Sequence, residues 1–243
     1  MTILVLFGLD AEWARWQRHH AFRRLNGANR AVFETEIRGS VVRAAVVGMG
    51  AVGMRDFLNL WRGGVDLVVV SGLAGSLRAE HDRYTVIVAR EVRSPNRQAG
   101  IASAHAAVAA AVRRGARQVN TLLTVERVVG SAAEKARLAA DGDAVDMESF
   151  PVLSEAVRHG AEGVAIRVIG DAADETLPID FSSAVRTGGT IDTARVLRGI
   201  AARPHKWPAF VLFAFRQWRA LRQLARFLDG FIGEFSSGDY RAR

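Results

Sequence analysis

An α/β protein with a mostly parallel, mixed sheet flanked by helices is the fold class this sequence predicts. Three observations predict it. Short runs rich in β-branched residues recur without polar alternation, as in strands covered on both faces. Alanine-rich or amphipathic segments separate many of them. Of the 243 residues, 49% are hydrophobic, enough for a sizeable core in one unit.

The elements follow in order. ILVLF (3–7) reads as a buried strand, and AEWARWQRHH after it as a helix with acids in its first turn. VVRAAVV (41–47) is the next apolar strand, with a helical segment over 51–62. DLVVVS (66–71) and TVIVA (85–89) are two more strands. The alanine-rich stretch 101–114 is helical, TLLTV (121–125) a strand and 131–140 a helix. A short strand is expected around 144–147, a helix over 149–159 and a strand at GVAIRVI (163–169). Residues 1–202 read as one domain and 203–243 as a basic amphipathic C-terminal extension. No internal repeat or low-complexity tract interrupts them.

Composition excludes several classes. There is no cysteine, so neither a disulfide framework nor a thiolate metal site is open to the chain. The six histidines lack ligand spacing, and no metal or other cofactor is expected. The N-terminus is apolar but lacks a positive leader and a small-residue cleavage site. The apolar run PAFVLFAF (208–215) is far short of the ~20 residues a spanning helix needs. A cytoplasmic protein is the expectation. Net charge is +8, and seven of those charges lie beyond residue 194, where ten basic residues face three acids.

In parallel sheets ligands gather beyond the carboxyl ends of the strands. Here those ends read GLDAEW, GMGAVGM, GLAGS, VDMES and GDAAD. Glycines and carboxylates meet there five times, which packing alone does not explain. Gly48-Met-Gly-Ala-Val-Gly53 also fits the dinucleotide pattern G-x-G-x-x-G. Its ribose-binding acid should end the next strand, yet Asp66 begins that strand and VVVSG closes it. A tight strand-to-helix turn, or a turn presenting N–H groups to an anion or water beside a sugar, competes with a dinucleotide-dependent oxidoreductase.

In this order the motifs resemble those of the nucleoside phosphorylase and nucleosidase family, above all the methylthioadenosine/S-adenosylhomocysteine nucleosidases. The matching segments are GLDAE, GMGAVG, SGLAGS, VDME (where the family has V-E-M-E) and RVIGDAAD (where it has R-x-I-S-D-x-A-D). The resemblance spans about residues 1–200 and is thinnest over 90–120. It implies a nucleoside phosphorylase-like fold and cleavage of the N-glycosidic bond of a purine nucleoside. The basic aromatic tail and VDMES are similar to the hopanoid-associated members, which implies adenosylhopane as substrate and adenine as product.

Purine release needs an acid for the leaving base and a nucleophile on the opposite face of an oxocarbenium-like ribose. The resemblance assigns Asp171 as the acid, against the alternative of a turn carboxylate after a strand. It assigns Glu148 to the 2′ and 3′ hydroxyls, with Met147 under the sugar. Asp146 and Glu148 share a parity along the strand, so alternation leaves the choice between them open. Glu12 matches the water-activating glutamate; its competing role is a first-turn acid on a helix. Gly48, Gly50, Gly72, Ala74 and Gly75 are the candidate loops around substrate, water or anion. Val128 and Val129 fall near the family's base pocket. Val70 and Leu73 stand where phosphorolytic relatives grip phosphate, which favours hydrolysis. Leu73 and Gly170 also replace family serines.

PAFVLFAFRQWRALRQLARFLDGFI (208–232) reads as one amphipathic helix. Arg216, Arg219, Arg222 and Arg226 fall on one side, with Trp218, Leu221, Leu224, Leu228 and Phe231 on the other. Three uses compete: docking on the core or a subunit, contact with an anionic membrane surface, and nucleic acid, for which no motif is present. The membrane use would place the protein peripherally on the inner membrane face, with an adenine nucleoside, lipid-linked, as its substrate. The resemblance further implies a homo-oligomer.

Overall fold

Ten strands join in one mixed sheet in the computed structural model, which describes residues 1–25, 31–54, 57, 61, 64–178, 198–202 and 204–237. They are β1 (Thr2–Phe7), β2 (Arg23–Leu25), β3 (Val32–Ile37), β4 (Ser40–Val46), β5 (Leu67–Ser76), β6 (Val86–Arg93), β7 (Ile101–Ala102), β8 (Arg117–Thr124), β9 (Ala144–Asp146) and β10 (Glu162–Asp171). The longer helices are α1 (Asp10–Trp16), α2 (His105–Arg113), α3 (Ala132–Leu138), α4 (Ser149–Arg158) and α5 (Trp207–Ser237). Half of the residues of the helix expected over 51–62 lie outside the described residues.

The sheet runs β2-β3-β4-β1-β5-β10-β6-β8-β9, and β9 returns to pair with the far end of β5. Five strands, β5, β10, β6, β8 and β9, therefore close on themselves. Strand β5 makes this possible by its length. It pairs with β1 from Leu67 to Ser71, with β10 from Leu67 to Gly75, and with β9 at Gly75 and Ser76. The expected strand 66–71 thus continues straight through GLAGS, because small residues there let β9 and β10 approach closely.

Alternation along the strands sorts side chains into two cores. Ile3, Val5 and Phe7 face one side with Trp13 and Trp16 of α1, the alanines of α2 and the buried stripe of α5. Leu4 and Leu6 face the other with Trp61 and with Val152, Leu153 and Ala156 of α4. The sequence reading missed β2 and β3. Arg38 (φ 49°) and Gly39 (φ 78°) form the two-residue turn that joins β3 to β4, both with the positive φ a type I′ hairpin needs.

The C-terminal helix docks on the core. Leu221, Leu224, Leu228, Phe231, Ile232 and Phe235 are buried against the sheet. Asp229 fixes the rotation: it accepts from Trp16 Nε1 at 2.7 Å and meets His19 Nδ1 at 2.5 Å and His20 Nε2 at 2.8 Å. Trp218 corrects the wheel drawn from sequence. It lies on the exposed side among the arginines, with Arg15 5.0 Å and Arg222 5.5 Å from its ring centre. No helix among the described residues is long and apolar enough to cross a membrane.

Candidate active site

The ends of β1, β5, β9 and β10 converge on a cavity of about 300 Å³, within the range small-molecule ligands use. Glu12, Met147, Glu148, Asp171, Ala74, Gly75, Val128 and Val129 all line it. Gly50 and Gly72 stand beside the carboxylates of Glu148 and Glu12, while Gly48 does not line the cavity.

Glu12 sits in the first turn of α1. Its Oε2 accepts from the N–H groups of Gly8 and Leu9, both at 3.0 Å, so it satisfies the start of the helix as a first-turn acid does. Its Oε1 reaches across to Leu73 N on β5, at 2.8 Å. The first-turn reading of this residue therefore describes real contacts. Burial pushes its carboxyl above the usual range, against the pull of Arg167 and three backbone N–H groups.

Strand β9 ends at Asp146, so the parity argument for VDMES lapses after that residue. Asp146 turns inward, accepting from Thr124 Oγ1 at 2.7 Å, Ser149 Oγ at 2.5 Å and Ser149 N at 3.1 Å. It also pairs with Arg167 in full burial. Those bonds occupy it structurally. Asp146 and Glu148 both line the cavity, but Glu148 has fewer side-chain partners, with Oε1 3.2 Å from Gly50 N and Oε2 3.3 Å from Arg167 Nη2. Gly50 (φ 66°) presents that N–H from the glycine turn, so the apparent dinucleotide motif serves a carboxylate. Burial, with Asp146 and Glu12 nearby, outweighs Arg167 and raises Glu148 to about 7.

Arg167 was missed as a site residue. It lies within the apolar run of β10 and is fully buried, between Asp146, Glu148 and Glu12. Burial works against its charge, but the three carboxylates overcome this and raise its pKa. Its Nε and Nη1 donate to no group among the described residues. A lone arginine in an otherwise apolar strand was the available signal.

Asp171 ends β10, its Oδ2 ion-paired to Lys135 of α3. Lys135 is another residue the sequence did not reveal: it is fully buried, and donates to Ala172 O at 2.7 Å and Glu175 O at 2.9 Å. Burial raises the Asp171 carboxyl above its usual range despite the ammonium. Val70 is buried in the core and Leu73 lines the cavity, so neither offers a polar grip on phosphate. Leu9, Phe213 and Leu221 add apolar wall, the last two from α5.

The family model of the Phosphorylase superfamily matches residues 3–202. The chain belongs to the phosphorylase superfamily. Solved structures agree on the fold. A 5′-methylthioadenosine/S-adenosylhomocysteine nucleosidase from Helicobacter pylori, bound to butyl-thio-DADMe-Immucillin-A, superposes with a TM-score of 0.73 at 17% identity, over 96% of this chain and 98% of that one. Native futalosine hydrolase from the same organism gives 0.72 at 17%, over 96% and 98%. The Campylobacter jejuni methylthioadenosine/S-adenosylhomocysteine nucleosidase gives 0.72 at 14%, over 96% and 99%. A search of curated proteins gave no match. The expectation of an enzyme of the nucleosidase and nucleoside phosphorylase class is met at the level of family and fold.

Proposed function

We propose that this superfamily member is a purine nucleosidase that releases adenine by hydrolysis, from an adenosine with a large apolar 5′ substituent; adenosylhopane is the favoured substrate. The observation that carries the reading is one cavity bounded by three largely buried carboxylates: Glu12 on backbone amides and facing Arg167, Glu148 on Arg167 and Gly50, Asp171 on Lys135.

Asp171 donates a proton to purine N7 so that the base leaves neutral; burial shifts its carboxyl upward, the direction a general acid needs. Glu148 accepts from the ribose hydroxyls, an interaction that strengthens as positive charge grows on the ring. Glu12 takes the proton of the attacking water, its own affinity for protons raised by burial. Met147 packs under the sugar and Val128 and Val129 against the base. Leu73 at the β5 end supports water rather than phosphate as the nucleophile.

The apolar substituent would leave past Leu9, Phe213 and Leu221 toward α5. Trp207, Val211, Leu212, Phe215 and Trp218 there are exposed, and Arg219, Arg222 and Arg226 accompany them. That pattern suits peripheral contact with an anionic membrane surface, on the inner face. Arg216 takes no part, being paired with Glu175. A homo-oligomer completes the proposal, with a second copy covering the groove beside Met49 and Met147.

Free adenine, measured with and without phosphate, tests the chemistry. Equal release in both, lost in Asp171→Asn, is expected. An absolute phosphate requirement overturns the role of Glu12, and full activity in Asp171→Asn overturns the mechanism. Anionic vesicles should sediment the protein but not the Val211→Glu/Phe215→Glu variant; equal sedimentation removes the membrane role.

A further inference from the structure

Gly170 precedes the proposed acid and stands where the family's pattern has serine. Two features of its surroundings are unusual. The pairing of β10 with β5 steps from Ile169–Ala74 to Asp171–Gly75, so Gly170 is an extra residue in the ladder. Such a bulge re-aims the side chain beside it. Second, α5 reaches this point: Gln217 Nε2 donates to Gly170 O at 3.1 Å. A Cβ added at Gly170 would lie 2.5 Å from Gln217 Oε1. The helix side chain therefore fills the space a serine would need.

The preceding residue of α5 grips the other flank of the acid. Arg216 Nη1 donates to Glu175 Oε1 at 3.0 Å, and Glu175 Oε2 accepts from Ala172 N at 3.3 Å. We infer that Gln217 and Arg216 are positioning residues for Asp171, clasping the residues before and after it so that α5 sets the aim of the carboxyl. This rests on Asp171 as the acid. Neither residue needs to touch the base. Gln217, which also lines the cavity, acts through the Gly170 carbonyl, and Arg216 acts through Glu175.

The groups facing Asp171 are Lys135 from α3, Glu175 from the segment after β10 and Arg83 from the segment before β6, with Arg216 reaching it through Glu175. Releasing the clasp admits water to the carboxyl, which eases burial and lowers its proton affinity. Since the acid works protonated, the alkaline limb of the rate profile should then move to lower pH.

The test is a double-mutant cycle on the whole chain, read as adenine release, with thermal melts to confirm folding. Gln217→Met keeps the length and removes the donor; it should cut kcat about 10-fold while KM stays within about 2-fold. Its alkaline limb should fall to lower pH. Gly170→Ser should be impaired by collision with Gln217, whereas in the Gln217→Ala background the same Gly170→Ser change should cost less than it does in wild type. Independent effects of the two substitutions in folded protein, or an unmoved alkaline limb in Gln217→Met, would overturn the clasp. Asp171→Asn separates the two ideas. If it stays active, the acid is misassigned; if it is dead and the cycle shows no coupling, only the clasp fails.

Discussion

Replacing Arg167 by methionine tests the electrostatic centre of the site. The guanidinium is fully buried, ion-paired to Asp146, 3.3 Å from Glu148 Oε2 and 3.1 Å from Ser149 Oγ. Methionine matches its apolar stem but leaves Asp146, Glu148 and Glu12 buried around no cation. Breaking such a pair on one side costs about 3–5 kcal/mol, and in a domain of this size that is a fall in Tm of roughly 10 °C. The loss should depend on pH in a defined sense. Arg167 holds down both Glu12 and Glu148, so its removal raises these folded-state carboxyls further. The unfolded chain then releases protons in the ordinary carboxylate range that the folded chain keeps. Stability falls as pH rises from that range toward the raised values. Urea melts of Arg167→Met against wild type at pH 5 and pH 8 should show the larger deficit at pH 8. A deficit equal at both, or none at all, refutes the view that one arginine neutralises three acids.

Three further outcomes follow from the same contacts. Wild-type kcat/KM should rise with pH through about 7 as Glu148 ionises, and in Glu148→Gln the remaining limb should move to lower pH, since Glu12 loses a neighbouring charge; an unmoved limb in a pH-rate series contradicts this. Asp146→Asn disturbs the Arg167 pair and bonds to Thr124 and Ser149, and should lose about 2–4 kcal/mol in denaturant melts, whereas Glu148→Gln loses less than about 1 kcal/mol. Asp229→Ala leaves the fully buried Trp16 without its acceptor and should cost about 1–3 kcal/mol by the same melts; an unchanged midpoint would show that α5 is held by apolar packing alone.

The parts of this molecule legible in sequence are those where one rule acts alone. β1, β5 and β10 announce themselves because both their faces are covered, so no polar residue marks a solvent side. β3 did not, since Glu34, Thr35 and Glu36 are partly solvated and dilute the apolar signal. The glycines of GLAGS read as a loop because propensity disfavours them in strands; tertiary pairing on both sides overrode it. Lys135 in AAEKARL looks like an ordinary surface charge. Its burial is decided by the segment from Ala172 to Glu175 folding over it, a contact some forty residues away in sequence. Alternation alone left Asp146 and Glu148 equivalent because it was carried two residues past the end of β9; the motif resemblance chose Glu148.

The strand-end glycines then take a meaning different from phosphate binding. A Cβ on Gly72 would lie 2.5 Å from Glu12 Oε1 and 2.6 Å from Arg167 Nη1. One on Gly8 would lie 2.9 Å from Glu148 Cδ, and one on Gly75 3.0 Å from Asp171 Oδ2. Each acid comes from a different element than the glycine it rests on, so closeness is set by the tertiary fold rather than by local turn geometry. The consequence is chemical. A carboxylate pressed against bare backbone loses hydration, and burial is the first cause of the raised proton affinity of all three acids. A methyl at any of these positions would push the carboxyl outward into the cavity and let water reach it, returning it toward ordinary acidity. Glycine here tunes the acids by letting the chain stand close to them.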